Sequence, residues 1–144
     1  MIGSNRIKTV GVLGLGIIGS RVAANLQNAH FDVFVWSQTV RPLPGFLASP
    51  AEVADVASVI QIFVKDDEAL GQVMEGLARS LRPDHIVLNH STVSPAATKA
   101  ALEICEAAGA GFLDAPFTGS KNAAASGKLV YYIGGEPHLL DRVR

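Results

Sequence analysis

Apolar positions along this chain alternate between short continuous runs and longer stretches in which they recur every three or four residues. Thr9–Leu13 is a run of strand length, Ile18, Val22 and Leu26 follow at helical spacing, and Asp32–Trp36 (DVFVW) returns to a strand pattern. Arg41–Pro50 (RPLPGFLASP), with three prolines and a glycine, marks an irregular connection. Ser49-Pro50-Ala51-Glu52 then forms a capping box with proline at the first helical position, and Ser58–Val64 predicts a third strand. Asp66 or Asp67 caps a helix that carries Leu70, Val73, Met74 and Leu77 on one face and runs to about Leu81, where Pro83 ends it. His85–Asn89 reads as the fourth strand. Ser94-Pro95 opens an alanine-rich helix that Gly109 stops, Gly111–Ala115 is the fifth strand, and Leu129–Ile133 is the sixth. After Gly134-Gly135, EPHLLDRVR reads as a helix just begun, with Pro137 near its first position and no stop signal behind it. That ending suggests the front part of a longer protein. Strands alternating with helices predict an α/β fold: a doubly wound, mostly parallel sheet with right-handed crossovers, covered on both faces.

With 144 residues and 49% hydrophobic composition, the chain supports one domain with a real core. A net charge of −1 and no clustered lysine or arginine argue against a nucleic-acid partner. Apolar runs fall short of the roughly 18 residues of a membrane helix, and MIGSNRIKT lacks a signal-peptide core. The expected setting is cytoplasmic, with no membrane association. Cys105 has no second cysteine to pair with and sits in a helix-like alanine segment, which predicts a buried, inert thiol. No two histidines show metal-ligand spacing, so no metal is expected.

The chemistry gathers after the predicted strands, where this architecture binds ligands. Gly14, Gly16 and Gly19 have G-x-G-x-x-G spacing between the first strand and helix. The first glycine turns the chain, the second admits a pyrophosphate to the backbone, and the third lets helix and sheet approach. The helix N-terminus adds free N–H groups and a positive dipole end. After the second strand come Ser37, Gln38 and Thr39, where a domain preferring NAD commonly carries an acid for the ribose 2′-hydroxyl. Neutral side chains with Arg41 close by suit a 2′-phosphate, so NADP is the expected cofactor and NAD the alternative. Asp66, Asp67 and Ser94 are better explained as helix caps than as ligands. His90 is the histidine most eligible for an active cleft, beside the small hydroxyls of Ser91 and Thr92. Asp114–Lys121 (DAPFTGSK) reads as an anion-binding loop or an ordinary turn.

Two segments together resemble the β-hydroxyacid dehydrogenase family, which includes 3-hydroxyisobutyrate dehydrogenase, tartronate semialdehyde reductase and glyoxylate/succinic semialdehyde reductase. VLGLGIIGSRVAANL is similar to the family fingerprint G-L-G-x-M-G-x-x-M-A-x-N-L. LDAPFTGSKNAAASGKLVYYIGG is similar to its substrate loop D-A-P-V-S-G-G, followed by A-x-x-G-x-L and a double glycine. The resemblance implies a Rossmann-type NAD(P)-binding domain over residues 1–144, cut before the interdomain helix and lacking the family's helical second domain. It assigns cofactor binding to Gly14, Leu15, Gly16, Ile17, Ile18 and Gly19, and to Val64, Lys65 and Thr92. Ser37, Gln38 and Thr39 stand where the family has N-R-T. Thr118, Gly119 and Ser120 would hold a substrate carboxylate, with Ser120 and Lys121 leaning toward the semialdehyde reductase branch. The family's proton-donating lysine lies beyond this chain, and Lys121 and Lys128 do not occupy its position. The expectation is a domain that binds cofactor, has no catalytic residue of its own and reduces little alone. It would expose an apolar surface and, at full length, form a homo-oligomer acting on a small-molecule substrate. The competing reading is a dinucleotide-binding module or sensor without chemistry.

Overall fold

Five strands, β1 (Thr9–Leu13), β2 (Asp32–Trp36), β3 (Val59–Ile62), β4 (Ile86–Asn89) and β5 (Gly111–Asp114), pair in parallel in the order β2-β1-β3-β4-β5. The structure is a computed structural model that describes residues 7–144; residues 1–6, within the segment read for a leader, lie outside the described residues. Leu13 is opposite both Trp36 and Ile62, Ile62 is opposite Asn89, and Asn89 is opposite Asp114. The carboxyl ends of all five strands are therefore level, and the loops that leave them share one edge. The chain reverses its direction of winding between β1 and β3, where doubly wound sheets open a crevice.

The helices are α1 (Ile17–Asn28), α2 (Pro50–Val56), α3 (Asp67–Leu77), α4 (Pro95–Ala107), α5 (Lys121–Ala125) and α6 (Pro137–Val143). Alternation along the strands divides the core by face. Leu13, Ile60, Ile62 and Val87 meet Val53, Leu70, Met74 and Leu77 in one cluster under α2, α3 and α4. On the other face, Val12, Val33 and Val35 pack with Ala23 of α1, and Val59, Ile86, Leu88 and Leu113 pack with Leu139 of α6. The predicted caps are present: the Ser49, Asp66 and Ser94 side chains accept from the N–H groups of Glu52, Ala69 and Ala97. His85 precedes β4 and is fully buried. Its Nδ1 accepts from the Arg82 N–H at 2.8 Å and its Nε2 donates to the Ala54 carbonyl at 2.7 Å, tying α2 to the turn below β4.

Four local readings are corrected. The sixth strand, expected over Leu129–Ile133, is only β7 (Val130–Tyr131), and it pairs antiparallel with β6 (Phe117–Thr118) outside the parallel sheet. A parallel return needs a crossover of about a dozen residues or more, usually helical; α5, with five residues, is too short to cover the sheet. Asp114 and Gly134 exchange both backbone hydrogen bonds, so the returning chain runs back along the line of β5. Pro116, which has no N–H to donate, separates β5 from β6. Within the loop expected over Asp114–Lys121 and beyond it, Ser120 caps α5 by accepting from the Ala123 N–H. The third helix ends at Leu77 rather than Leu81, and a tight turn carries Leu81 inward without further helix. Finally, the proline-rich connection is not wholly irregular. Phe46 bridges Val35 in parallel, extending the sheet by one residue beyond β2.

Candidate functional site

Gly14 leaves β1 with φ +102°, and its N–H donates to the Trp36 carbonyl at 2.8 Å. A Cβ at Gly14 would lie 1.8 Å from the Phe63 carbonyl oxygen, and one at Gly19 would lie 2.0 Å from the Gly14 oxygen. Both positions need glycine: the first for its left-handed backbone and the turn against β3, the second for helix-to-strand approach. Gly16, the N-cap of α1, is different. Its φ is −72° and nothing lies within 4 Å of a Cβ built on it. The loop thus keeps open space in front of Gly16, where the first-turn N–H groups of α1 lack helical acceptors and no acidic side chain offsets the dipole. A pyrophosphate fits that cradle.

A cleft of about 510 Å³ extends from this loop between the end of β2 and the start of α3. Of the residues expected to bind cofactor, Gly14, Leu15, Gly16, Ser37, Gln38, Thr39, Arg41, Val64 and Lys65 line it together. Ile17, Ile18 and Gly19 lie on α1 outside the lining, and Thr92 is exposed in the loop after β4. Trp36, Phe63, Ala69, Gln72 and Val73 also line the cleft and were missed. Val73 belongs to the apolar stripe of α3, so its sequence signal is that of a core residue, and only its place at the stripe's edge adds the second contact. Among the described lining residues, two are cations, Arg41 and Lys65, and none is acidic. Ser37 is nearly buried and its hydroxyl donates to the Thr39 carbonyl. Its hydrogen is committed there, so Ser37 has only lone pairs to offer a ligand.

The other candidates sit elsewhere. His90 is 3% exposed, with Nδ1 2.7 Å from the Ala115 carbonyl and Nε2 2.9 Å from the Gln61 side-chain amide. Its ring stacks on Phe63 at 4.7 Å and tilts against Tyr131 at 4.9 Å. Burial pushes its pKa down to about 4, against a smaller opposing effect of the Ala115 contact. The neutral ring donates through Nδ1 to the Ala115 carbonyl; Nε2 is then an acceptor, so the Gln61 amide, placed with Oε1 toward the ring, has to be assigned with its nitrogen there instead. His90 lines a groove on the α1 face rather than the 510 Å³ cleft. Thr118 lies in β6 and Ser120 is occupied as the α5 cap, with Gly119 between them; all three are exposed and outside the cleft lining. Asp67 accepts from the Ser94 N–H at 2.8 Å, and its hydrogen bonds with Ser94 hold its carboxyl below the ordinary range. Burial raises the Asp114 carboxyl. Cys105 is buried, and burial together with the neighbouring Glu106 charge pushes its thiol up to about 12, which makes it unreactive. Among the described residues no three His, Cys, Asp or Glu side chains gather as a metal site, and no helix is long and apolar enough to cross a membrane.

A parallel sheet wound in this order, with a glycine turn opening onto a cationic cleft at its level carboxyl edge, defines a Rossmann-type nucleotide-binding domain. The model of the family described as the NAD binding domain of 6-phosphogluconate dehydrogenase matches residues 9–144. The chain belongs to that family and is an NAD(P)-binding domain of the oxidoreductase type. Similar proteins include the cytokine-like nuclear factor N-PAC of Danio rerio, 30% identical over 139 residues covering 90% of this chain and 30% of the relative. Another is glyoxylate/succinic semialdehyde reductase 2, chloroplastic, of Arabidopsis thaliana, 31% identical over 144 residues covering 93% and 40%. The solved structure of Mycobacterium tuberculosis 3-hydroxyisobutyrate dehydrogenase with L-serine superposes with a TM-score of 0.87 at 26% identity, covering 96% of this chain and half of that one. The chain spans only a quarter to two fifths of the length of such curated relatives.

Proposed function

We propose that this domain binds NADPH in preference to NADH and serves a reductase of small carboxylated aldehydes, or the dehydrogenase of the corresponding hydroxy acids. The observation that carries the cofactor preference is the cleft wall after β2, which has Arg41 and no carboxylate. An acid there would accept a ribose 2′-hydroxyl and repel a 2′-phosphate; a guanidinium attracts the phosphate. Ser37 cannot donate to that phosphate because its hydrogen is held by Thr39, so the donors are Arg41 and the side chains of Gln38 and Thr39. The backbone around Gly16 and the α1 N-terminus receive the pyrophosphate, while Val64 and Lys65 form the facing wall. When bound, the nicotinamide supplies the hydride. Thr118, Gly119 and Ser120, matched to the family's substrate loop, would hold the substrate carboxylate, the Ser120 hydroxyl donating its hydrogen while its oxygen accepts from the Ala123 N–H. Neither Lys121 nor Lys128 matches the family's proton donor, so this chain by itself binds cofactor and turns over little or no substrate. The full-length protein would be a cytoplasmic homo-oligomer.

A second reading, a dinucleotide-binding module without chemistry, is supported by the relatives named as nuclear factors rather than as oxidoreductases. Calorimetric titration with NADPH and NADH tests the cofactor assignment, with Gly16→Val as the control. This substitution meets open space and an ordinary φ, so it leaves the fold intact and abolishes binding. Wild-type binding that survives Gly16→Val, or tighter binding of NADH, would overturn the assignment. Reduction of glyoxylate or succinic semialdehyde by the full-length protein separates the two readings.

A further inference from the structure

We infer that Asn89 and Ser91 are positioning residues that preset the Val64–Lys65 wall of the dinucleotide cleft, an inference that rests on the cofactor reading above. The backbone ladder between β3 and β4 ends where the His90 N–H donates to the Ile62 carbonyl at 3.0 Å. Beyond that point the two chains diverge, and the next inward N–H, that of Val64, finds a side chain in place of a carbonyl: the Ser91 hydroxyl oxygen at 2.8 Å. Ser91 is 5% exposed and is held in turn by Asn89, whose Oδ1 accepts the Ser91 N–H at 3.0 Å across a two-residue Asx turn. The ladder is thereby extended by one side-chain rung, just before Val64 and Lys65 enter the cleft lining.

Asn89 gives the second observation. It is completely buried, and its Nδ2 finds no partner among the described residues. An unpaired buried amide is unfavourable, and an apolar side chain of similar size would avoid the penalty. The amide is explained by what its oxygen does for Ser91. Two residues after Lys65, the Asp67 carboxylate accepts from the Ser94 N–H at 2.8 Å. The loop from β3 to α3 is therefore fastened to the loop from β4 to α4 on both sides of Lys65. A wall held in this way before ligand arrives does not have to be ordered on binding, and the saved ordering appears as affinity.

The test combines amide exchange at Val64 in the free protein, followed by NMR, with NADPH affinity measured by calorimetry. Ser91→Ala should speed Val64 exchange and weaken NADPH binding about fivefold, the scale of one hydrogen bond. Ser91→Thr, which keeps the hydroxyl, should restore both. Asn89→Ala should weaken binding in the wild-type background and add nothing in Ser91→Ala, because it acts through Ser91. NADPH affinity unchanged in Ser91→Ala, or equal losses in Ser91→Ala and Ser91→Thr, would overturn the inference and leave the cofactor reading standing. A wild-type chain that binds neither NADPH nor NADH would overturn both.

Discussion

The two faces of the sheet are made by the same strands with the same alternation, yet one is closed and the other is divided. Under α2, α3 and α4 a single cluster runs from Leu13 and Val53 across to Cys105 and Phe112. Under α1, α5 and α6 there are two smaller clusters. Between them lies a groove of about 460 Å³ floored by Val59, Gln61, Leu88 and His90. The cover differs: α2, α3 and α4 lie side by side over the closed face, whereas between α1 and α6 the open face has α5, whose five residues extend about 8 Å, less than the roughly 13 Å of a four-residue strand. Ile133 lines this groove and is exposed, as are Val130 and Tyr132 nearby in the chain; Ile17 and Val40 are exposed apolar side chains elsewhere. The comparison teaches that the closed face buries the larger continuous cluster, while the open face accommodates Gln61 and His90 through their mutual contact and the bond of His90 to the Ala115 carbonyl.

The largest expected effect is on the closed face. Leu77→Ala, at a fully buried position in the continuous cluster, should cost about 3–5 kcal/mol in a urea denaturation series. Acid should then act on the open face through His90. Its folded pKa of about 4 lies below the ordinary 6.5, so the unfolded chain takes up a proton first as pH falls. Stability is complete above pH 6.5, is lost progressively down to about 4, and amounts to roughly 3 kcal/mol. Denaturation at pH 7 and pH 4 measures this, and His90→Phe should remove most of the dependence. A smaller loss, about 2 kcal/mol, is expected for Leu139→Ala, because that side chain is 8% exposed and belongs to the smaller cluster under α6. If Leu139→Ala cost as much as Leu77→Ala, the contrast between the faces would be wrong. The smallest effect on the fold is expected for Arg41→Gln. It should leave the melting temperature unchanged, weaken NADPH roughly tenfold and leave NADH almost untouched, as charge-assisted phosphate contacts do; equal weakening of the two nucleotides would sink the role given to Arg41.

Much of this molecule was legible from neighbours in the chain. The strands β1 to β5, the capping residues Ser49, Asp66 and Ser94, and the glycine turn follow from local period and local backbone chemistry, and the structure places them where they were read, with β3 shortened from Ser58–Val64 to Val59–Ile62 and β4 and β5 each shorter by one residue. Two-residue strands have no period, so β6 and β7 could not be placed, and Leu129–Ile133 was extended into a strand of ordinary length. A capping serine followed by Lys-Asn-Ala-Ala-Ala was a signal for α5, obscured by the reading of Thr118–Ser120 as a loop. Leu81 continued the apolar stripe of α3 by pointing inward from a turn, which hydrophobicity alone does not distinguish from helix. Within the site, Ser37, Gln38, Thr39 and Arg41 were found from their place after β2, whereas Trp36, Ala69, Gln72 and Val73 carried no mark beyond ordinary strand and helix chemistry.

The sequence by itself determined the α/β order, the dinucleotide-type turn at Gly14–Gly19 and the lack of an acid after β2. Each is written in contiguous residues whose conformational preferences act over a few bonds. Only the tertiary structure decided that His90 faces the open side of the sheet while Val64 and Lys65 face the cleft. It alone brought Asn89 and Ser91 to the Val64 amide and turned the chain after β5 back on itself. Those outcomes depend on which strands become neighbours, on level registers, and on whether a helix is long enough to cover the sheet beneath it. Such distances arise between residues far apart in the chain, where local propensity has no influence.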